Sequence, residues 1–439
     1  MEKGKVVVIV GLGKTGISCA RYLESLGRDF IVLDDNPGQE RLIELEKIRP
    51  SSFGGRITEE KLLSAGQLIL SPGIPLARKE IKAAIAANVS VTGDIEIFSH
   101  ATRSAVIAIT GSNGKSTVTS LVNHILKCCG KDSVMGGNIG IPCLDLLSSN
   151  SEYCVLEVSS FQLDTTGNLP CEVAVVLNLS PDHMDRYDSL ENYYTSKAGI
   201  YRSCKVAVIN RDVGYEFLSY DARIITFGSD SSAEADSWGM IDDDGLYLSK
   251  GNKKLVETDS LKIKGRHNAL NALAALAIGN ALGLEDEPML KAVQSFPGLP
   301  HRCEWLGEIK GLHFFNDSKS TNPGSTIAAV EGLGSERKNI ILLLGGKSKS
   351  ADFTKLNDSI EKYVDKVLVF GEDANKISEA LTIETIRCAD LKDMIDTAVR
   401  LGEDGDIVLL SPACASFDMF SGYEERGNRF KDLVRRLAA

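Results

Sequence analysis

No stretch of the 439 residues is apolar for long enough to span a bilayer, and Met1 to Lys5 lead straight into a short strand, not into the apolar region of an export signal. Basic residues are in the minority. The 49 Lys and Arg face 60 Asp and Glu, and the formal net charge of −11 provides no overall field for nucleic acid. The ten cysteines contain no C-x-x-C pair, and the adjacent Cys128 and Cys129 make a poor start for a zinc site or a disulfide framework. They read as reduced core thiols of a cytoplasmic protein. No repeat of solenoid period and no low-complexity tract is present. These absences exclude a membrane-spanning chain, a basic nucleic-acid binder and a disulfide scaffold. An anionic ligand must then be held by local loops, helix N-termini and a few placed Lys or Arg.

What is present is a soluble globular composition, 43% hydrophobic and 25% charged, in a chain too long for one ordinary core. About three domains is the natural prior. The first start is an apolar run, Lys5 to Val10, followed by Gly11-Leu-Gly13-Lys14-Thr15-Gly16 and a helix through Leu26. Phe30 to Leu33 then ends at Asp34-Asp35-Asn36, which makes a β-α-β with G-x-G-x-x-G and an acid about 20 residues on, the pattern of dinucleotide-binding folds. Leu68 to Leu70 precedes Ser71-Pro72-Gly73, another strand with a ligand-facing loop. The chain restarts at Ala105, so domains are expected at 1–93, 94–298 and 299–439, with Pro297 to Pro300 as a hinge. Strands at Tyr153 to Val158, Val173 to Leu177, Lys205 to Ile209, Ile340 to Leu344, Lys366 to Phe370 and Asp406 to Leu410 alternate with helices, and Asn271 to Leu282 is expected to be helical. The expected fold class is therefore α/β: a Rossmann-like N-terminal domain, a central P-loop ATPase-like domain with a mostly parallel sheet, and a Rossmann-like C-terminal domain.

The central restart carries the sharpest motif. A strand ending at Thr110 runs into Gly111-Ser112-Asn113-Gly114-Lys115-Ser116-Thr117 and then a helix, so backbone N–H groups and the helix N-terminus converge on an anion. Lys115 is expected on the β/γ-phosphates of ATP, and Ser116 or Thr117 offers a hydroxyl to Mg²⁺. The first glycine of a standard Walker motif would fall at Ile109. Glu157, and Asn178 to Asp182 with His183, each follow a strand, where ligand crevices of parallel sheets form; a carboxylate and an imidazole there suit a divalent cation. Lys197 in a probable helix reads on its own as a solvated lysine. Asn268 and Asn271 are three apart, share a helix face and suit an adenine edge, with helix capping as the alternative for Asn268. His301-Arg302 follow the hinge, and Asn316 to Pro323 concentrate polar groups between a strand and a helix start. An NAD(P) oxidoreductase, read from the first glycine loop and Asp34, and an ATP-binding regulatory module remain as alternatives.

Taken together, Thr110 to Thr117, Glu157, Asn178 to His183, Gly265 to Asn268 with Asn271, His301-Arg302, Asn316 to Asn322, the Gly11-Leu-Gly13 loop and Ser71 to Gly73 resemble the Mur ligases along the whole chain. Members of that family are cytoplasmic ATP-dependent amino-acid ligases of peptidoglycan precursor synthesis. The resemblance implies UDP-N-acetylmuramoyl-L-alanine and D-glutamate as partners, ATP with two Mg²⁺ ions, no nucleic acid, no membrane, and a monomer. It implies a nucleotide-sugar site at Gly13, Lys14, Thr15, Gly16, Asp34, Asp35, Asn36, Ser71, Pro72, Gly73, Asn138 and His183. Asn268, Asn271, Arg302 and Asp317 match ATP contacts, and Lys319, Thr321, Lys349, Ser416 and Tyr423 the amino-acid site. Lys115, Glu157, His183 and Lys197 are the implied catalytic set. Lys197 matches a lysine that the family carries as a carbamate, which would join Ser116, Glu157 and His183 as metal ligands. Lys347 stands where the family pattern has an acid or a neutral residue, and Tyr423 where it has phenylalanine.

Overall fold

The computed structural model describes residues 6–181, 186–213, 221–335, 337–348 and 351–437. Two compact units emerge, 1–238 with 274–289, and 239–273 with 290–439.

The first unit begins with β1 (Val7–Val10), β2 (Phe30–Leu33), β3 (Phe53–Gly55), β4 (Gln67–Leu70) and β5 (Ser90–Thr92), a sheet in the order β3-β2-β1-β4-β5. Its pairings are parallel throughout. The order reverses between β1 and β4, so the crevice of this sheet opens where Gly11 and Ser71 leave their strands. Val7 to Val10 are all buried, as expected for a strand covered on both faces. The helix Lys14–Ser25 packs tightly because residue 16 is glycine: a Cβ there would lie 2.0 Å from the Gly11 carbonyl oxygen.

The second sheet of this unit contains β6 (Ala105–Thr110), β7 (Ser133–Gly137), β8 (Tyr153–Glu157), β9 (Cys171–Val176), β10 (Cys204–Asn210), β11 (Arg223–Phe227) and the start of β12 (Ser237–Asp242). The order is β12-β11-β10-β9-β6-β8-β7, with parallel pairing. One apolar core runs from Val7, Ile9 and Ile17 through Ile95 and Phe98 to Val106, Ala108 and Val158. The first glycine-loop domain and the phosphate-loop domain therefore share a core.

The second unit holds an antiparallel hairpin, β13 (Leu246–Lys250) with β14 (Lys253–Glu257). Its main sheet is formed by β15 (Glu304–Ile309), β16 (Leu312–Asn316), β17 (Ile340–Gly345), β18 (Val364–Phe370), β19 (Thr385–Arg387) and β20 (Ile407–Leu410), in the order β15-β16-β20-β17-β18-β19. Only the β15–β16 hairpin is antiparallel. Apolar clusters cover both faces.

The strands expected from sequence are present to within two or three residues, and the expected helix at Asn271 begins earlier, at Arg266. Unforeseen elements are β3, β5, β7, β11 to β15 and β19. Most of these strands are short and partly exposed, so any alternation of apolar and polar residues is too brief to register as a period. Among the described residues the cysteines are free; Cys128 is exposed, and Cys129 and Cys204 are partly exposed, which departs from the expectation that all ten lie in the core. No helix of the described residues is long and apolar enough to cross a membrane.

Candidate active site

The phosphate loop joins β6 to the helix Lys115–Cys128, with Gly114 as its N-cap in a left-handed conformation at φ 82° that suits glycine. The loop is clamped to the segment after β9. Asn178 accepts from the Asn113 N–H at 2.8 Å and donates to the Asn113 carbonyl at 3.0 Å. Ser112 Oγ donates to the Ser180 carbonyl and accepts from the Ser180 N–H, both at 2.9 Å, and lies 3.1 Å from the Tyr193 hydroxyl. The shape of the loop is thus fixed before any anion arrives. Lys115 Nζ folds back to the carbonyls of Gly111 at 2.8 Å and Ser112 at 2.9 Å.

Lys197 is the clearest departure from the sequence reading. Far from being solvated, it is 2% exposed near the end of the helix Leu190–Ala198, where its Nζ donates to the same Gly111 carbonyl at 2.9 Å and lies 4.8 Å from the centre of the Tyr193 ring. Two ammonium groups share one carbonyl oxygen.

Glu157 ends β8, in register with Ile109 of β6 and Gly137 of β7, and is 3% exposed. Asn138 donates to Glu157 Oε1 at 2.7 Å, while Oε2 is buried with no hydrogen-bond partner among the described residues. An orphaned carboxylate oxygen beside a phosphate loop fits a hard cation such as Mg²⁺, which takes one or two carboxylates and completes its shell with phosphate oxygens and water. Among the described residues no cluster of three or more His, Cys, Asp or Glu is assembled. Ser116 and Thr117 are buried at the start of the helix. His183 and Asp182 lie outside the described residues, as does Lys349.

In the first sheet, Gly13 and Lys14 are exposed at the helix start, Thr15 is half-buried, and Ser71 Oγ donates to the Gly11 carbonyl at 2.9 Å. The two acids are already engaged. Asp34 accepts from the Leu12 N–H at 2.6 Å and the Asn36 N–H at 2.8 Å, so it braces the glycine loop. Asp35 pairs with Arg78 at 2.6 Å and accepts from the Ile57 N–H at 3.1 Å; the Arg78 guanidinium holds its carboxyl below the usual range. Arg186, which sequence reasoning missed, donates to the Pro72 and Gly73 carbonyls at 3.1 and 3.3 Å and stacks 4.2 Å from the Phe161 ring centre. Nothing in its local sequence marks it.

In the second unit, Asn268 and Asn271 are buried and bonded to each other at 3.1 Å, as their spacing predicted. Asn268 sits inside the helix Arg266–Ala281 and its amide donates to the Lys264 carbonyl at 2.9 Å, so it is not the N-cap. Asp317, at the end of β16, is 6% exposed and accepts from the Cys303 N–H at 3.1 Å, from Ser411 Oγ at 2.9 Å and from Ser320 Oγ. Burial pushes its carboxyl up to about 6, with the hydroxyl and N–H bonds and the Arg302 charge offsetting part of the rise. Lys319 Nζ lies 3.9 Å from the Tyr423 ring centre, Ser416 is buried, and Thr321 is half-buried before Asn322, the N-cap of the helix Pro323–Leu333. Lys347 pairs with Glu372 at 3.2 Å.

The raised Asp317 carboxyl has a measurable sign. The folded chain holds that proton above the pH at which the unfolded chain releases it, so stability falls as pH rises from about 4 to about 6 and then levels off. Relative to Asp317→Asn, the wild type is expected to lose on the order of 3 kcal/mol between pH 4 and pH 7. Denaturant melts of both proteins across that range check it; parallel curves would contradict it.

Comparison with known proteins matches this geometry. Family models describe residues 5–93 as a Mur ligase MurD-like N-terminal domain, 109–279 as a Mur ligase middle domain and 301–414 as a Mur ligase glutamate ligase domain. The chain is similar to the UDP-N-acetylmuramoylalanine–D-glutamate ligase of Hahella chejuensis, at 42% identity over 100% of this chain and 99% of that one. It also resembles the enzyme of that name from Acinetobacter baylyi, at 41% identity over 100% and 99% of the two chains. Among solved structures, UDP-N-acetylmuramate–alanine ligase MurC from Thermotoga maritima shares the fold with a TM-score of 0.61 at 20% identity, covering 99% of this chain and 100% of that one. A bifunctional folylpolyglutamate synthase/dihydrofolate synthase from Yersinia pestis, complexed with AMPPNP and Mn, gives a TM-score of 0.58 at 15% identity over 78% of this chain and 93% of that one. With a phosphate loop braced by Asn178, a buried acid beside it and relatives of this identity matching from end to end, the chain belongs to the Mur ligase family.

Proposed function

We propose that the chain joins D-glutamate to UDP-N-acetylmuramoyl-L-alanine at the expense of ATP, in cytoplasmic peptidoglycan precursor synthesis, and acts as a monomer. The observation that carries this reading is full-length identity of about two in five residues to ligases of that name, together with the braced phosphate loop. Residues 1–93 are assigned to the nucleotide sugar, 94–298 to ATP and 299–439 to the amino acid.

A carboxylate and an amine do not condense in water, so the carboxylate must be activated. One oxygen of the alanyl carboxylate attacks the γ-phosphorus of ATP, ADP leaves, and an acyl phosphate remains. The free amine of D-glutamate then attacks the acyl carbon, and the tetrahedral intermediate expels phosphate and loses the amine proton. The chain contributes positioning and charge stabilisation. Lys115 neutralises charge on the transferred phosphoryl group, and the N–H groups of Gly111 to Thr117 orient the phosphates. Asn268, Asn271, Arg302 and Asp317 are assigned to ATP by resemblance. Gly13 to Gly16, Ser71 to Gly73 and Asn138 are assigned to the nucleotide sugar on the same ground. Glu157, Ser116 and His183, with Lys197 as a carbamate, would hold two Mg²⁺ ions, which supply positive charge for the phosphoryl oxygens when bound. Lys319, Thr321, Lys349, Ser416 and Tyr423 receive D-glutamate, whose two carboxylates suit a lysine and hydroxyl donors.

Isotope transfer tests the mechanism. With ¹⁸O in the alanyl carboxylate, one labelled oxygen is expected in the released phosphate; unlabelled phosphate would rule out the acyl phosphate. The acceptor lysine is tested separately. Because Lys347 is tied to Glu372, Lys349→Ala is expected to raise the D-glutamate KM by roughly tenfold or more, the loss of one charge-assisted contact, and Lys347→Ala by less than about twofold. The reverse order in steady-state kinetics would reassign the carboxylate-binding lysine.

A further inference from the structure

Arg426 lies in the first turn of the helix Tyr423–Leu437 and is 0% exposed. A guanidinium carries five N–H donors and no acceptor, so taking it out of water is costly unless those donors find oxygen. Here the oxygens come from three separate loops. Nε donates to Ser318 Oγ at 3.0 Å, and Nη2 donates to the Ser318 carbonyl at 2.8 Å and the Cys414 carbonyl at 3.0 Å. Nη1 donates to the Gly345 carbonyl at 3.3 Å. None of these partners bears a charge. Burial pushes the Arg426 pKa down to about 10, so the side chain stays a cation at neutral pH.

A buried cation bonded only to neutral oxygens is a poor device for stability, because packed apolar side chains would hold the same elements at less cost in desolvation. What a planar fork does well is fix several acceptors in one mutual geometry, which lysine or an apolar residue does not. The three loops it fixes leave the C-terminal ends of adjacent strands, β16, β20 and β17, where ligand crevices of parallel sheets form. Ser318 stands between Asp317 and Lys319, Cys414 is two residues before Ser416, and Gly345 leads to Lys347. The loops are further tied to one another. Lys347 and Ala415 exchange backbone hydrogen bonds at 2.9 and 3.0 Å, and Ser318 Oγ donates to the Tyr423 carbonyl at 2.8 Å, beneath the ring that faces Lys319.

We propose that Arg426 is a positioning residue for the acceptor amino acid, one that sets the mutual placement of the loops at 317–321, 345–348 and 413–417. The inference rests on the assignment of the acceptor pocket to Lys319, Thr321, Ser416 and Tyr423. It predicts a selective defect. Asp317 keeps its own tethers to Cys303, Ser320 and Ser411, and the nucleotide-sugar residues belong to other loops, so the KM values for ATP and the nucleotide sugar should hold while that for D-glutamate rises.

The test uses the full chain, with steady-state phosphate release as a function of each of the three substrates. Arg426→Lys keeps the charge and loses the fork; it is expected to raise the D-glutamate KM at least about tenfold and to move the other two KM values by less than about threefold. Arg426→Ala is expected to regain part of its D-glutamate affinity when free guanidinium ion is added. Ser318→Ala removes only the hydroxyl between Arg426 and Tyr423, so it reports even where an Arg426 variant fails to fold, and a smaller rise in the same KM alone is expected. An unchanged D-glutamate KM in Arg426→Lys and Ser318→Ala, or an equal rise in all three KM values, would overturn the inference. Thr321→Ala and Ser416→Ala, measured alongside, separate the two claims. If they raise the D-glutamate KM while the Arg426 and Ser318 variants do not, the pocket stands and the role of Arg426 falls. If they too leave it unchanged, the pocket assignment falls and the inference with it.

Discussion

Lys115→Ala is expected to lower phosphate release at least about 10²- to 10³-fold, the loss typical of removing one preorganised group that stabilises transition-state charge. The effect should fall on catalysis, because the lysine's place in the fold is modest. It is half-buried, and its Nζ bonds to the Gly111 and Ser112 carbonyls, which belong to a loop already held by Asn178 and Ser180. The loop should survive the truncation, and the nucleotide sugar should bind with affinity changed by less than about threefold, since its assigned residues belong to other segments. Phosphate-release kinetics and calorimetric titration of UDP-N-acetylmuramoyl-L-alanine together check both halves. Activity equal to that of the wild type would remove Lys115 from the mechanism.

Lys197→Ala is expected to be inactive, by about 10²-fold or more, and to be partly rescued by small carboxylates such as acetate or formate, which can occupy the place of a missing anion. The physical ground is the position of its Nζ, buried and sharing the Gly111 carbonyl with Lys115. Carbamate formation there, as the family resemblance implies, joins the amine nitrogen to CO₂ with release of one proton. The side chain then changes from a competitor of the Lys115 charge to an anion that attracts it. Activity should fall when CO₂ is stripped from the wild type and return when bicarbonate is added. A variant that no carboxylate rescues, with a wild type indifferent to CO₂, would contradict the modification.

Several features were legible because their signal is local. The glycine loops announce themselves by strand, turn and helix in consecutive residues, and both loops form where expected. Asn268 and Asn271 were legible because a spacing of three places side chains on one helix face. Other features were not legible for the opposite reason. Lys197 is buried by contacts with Gly111, 86 residues away, which its own helix does not foreshadow. Arg186 and Arg426 bond to backbone carbonyls, which every residue possesses, at separations of 113 and 108 residues in single bonds. Asp34 was recognised as an acid at the right distance from the glycine loop, yet its bonds to Leu12 and Asn36 depend on a turn that spacing alone does not specify.

The most direct measurement is phosphate release from ATP with UDP-N-acetylmuramoyl-L-alanine and Mg²⁺, supplying D-glutamate, L-glutamate, L-lysine or no amino acid in turn. Release that requires D-glutamate is the predicted result, and it would show that Lys347 and Tyr423 leave the acceptor pocket intact. Release with L-lysine or L-glutamate in place of D-glutamate, or none with any acceptor, would contradict the account.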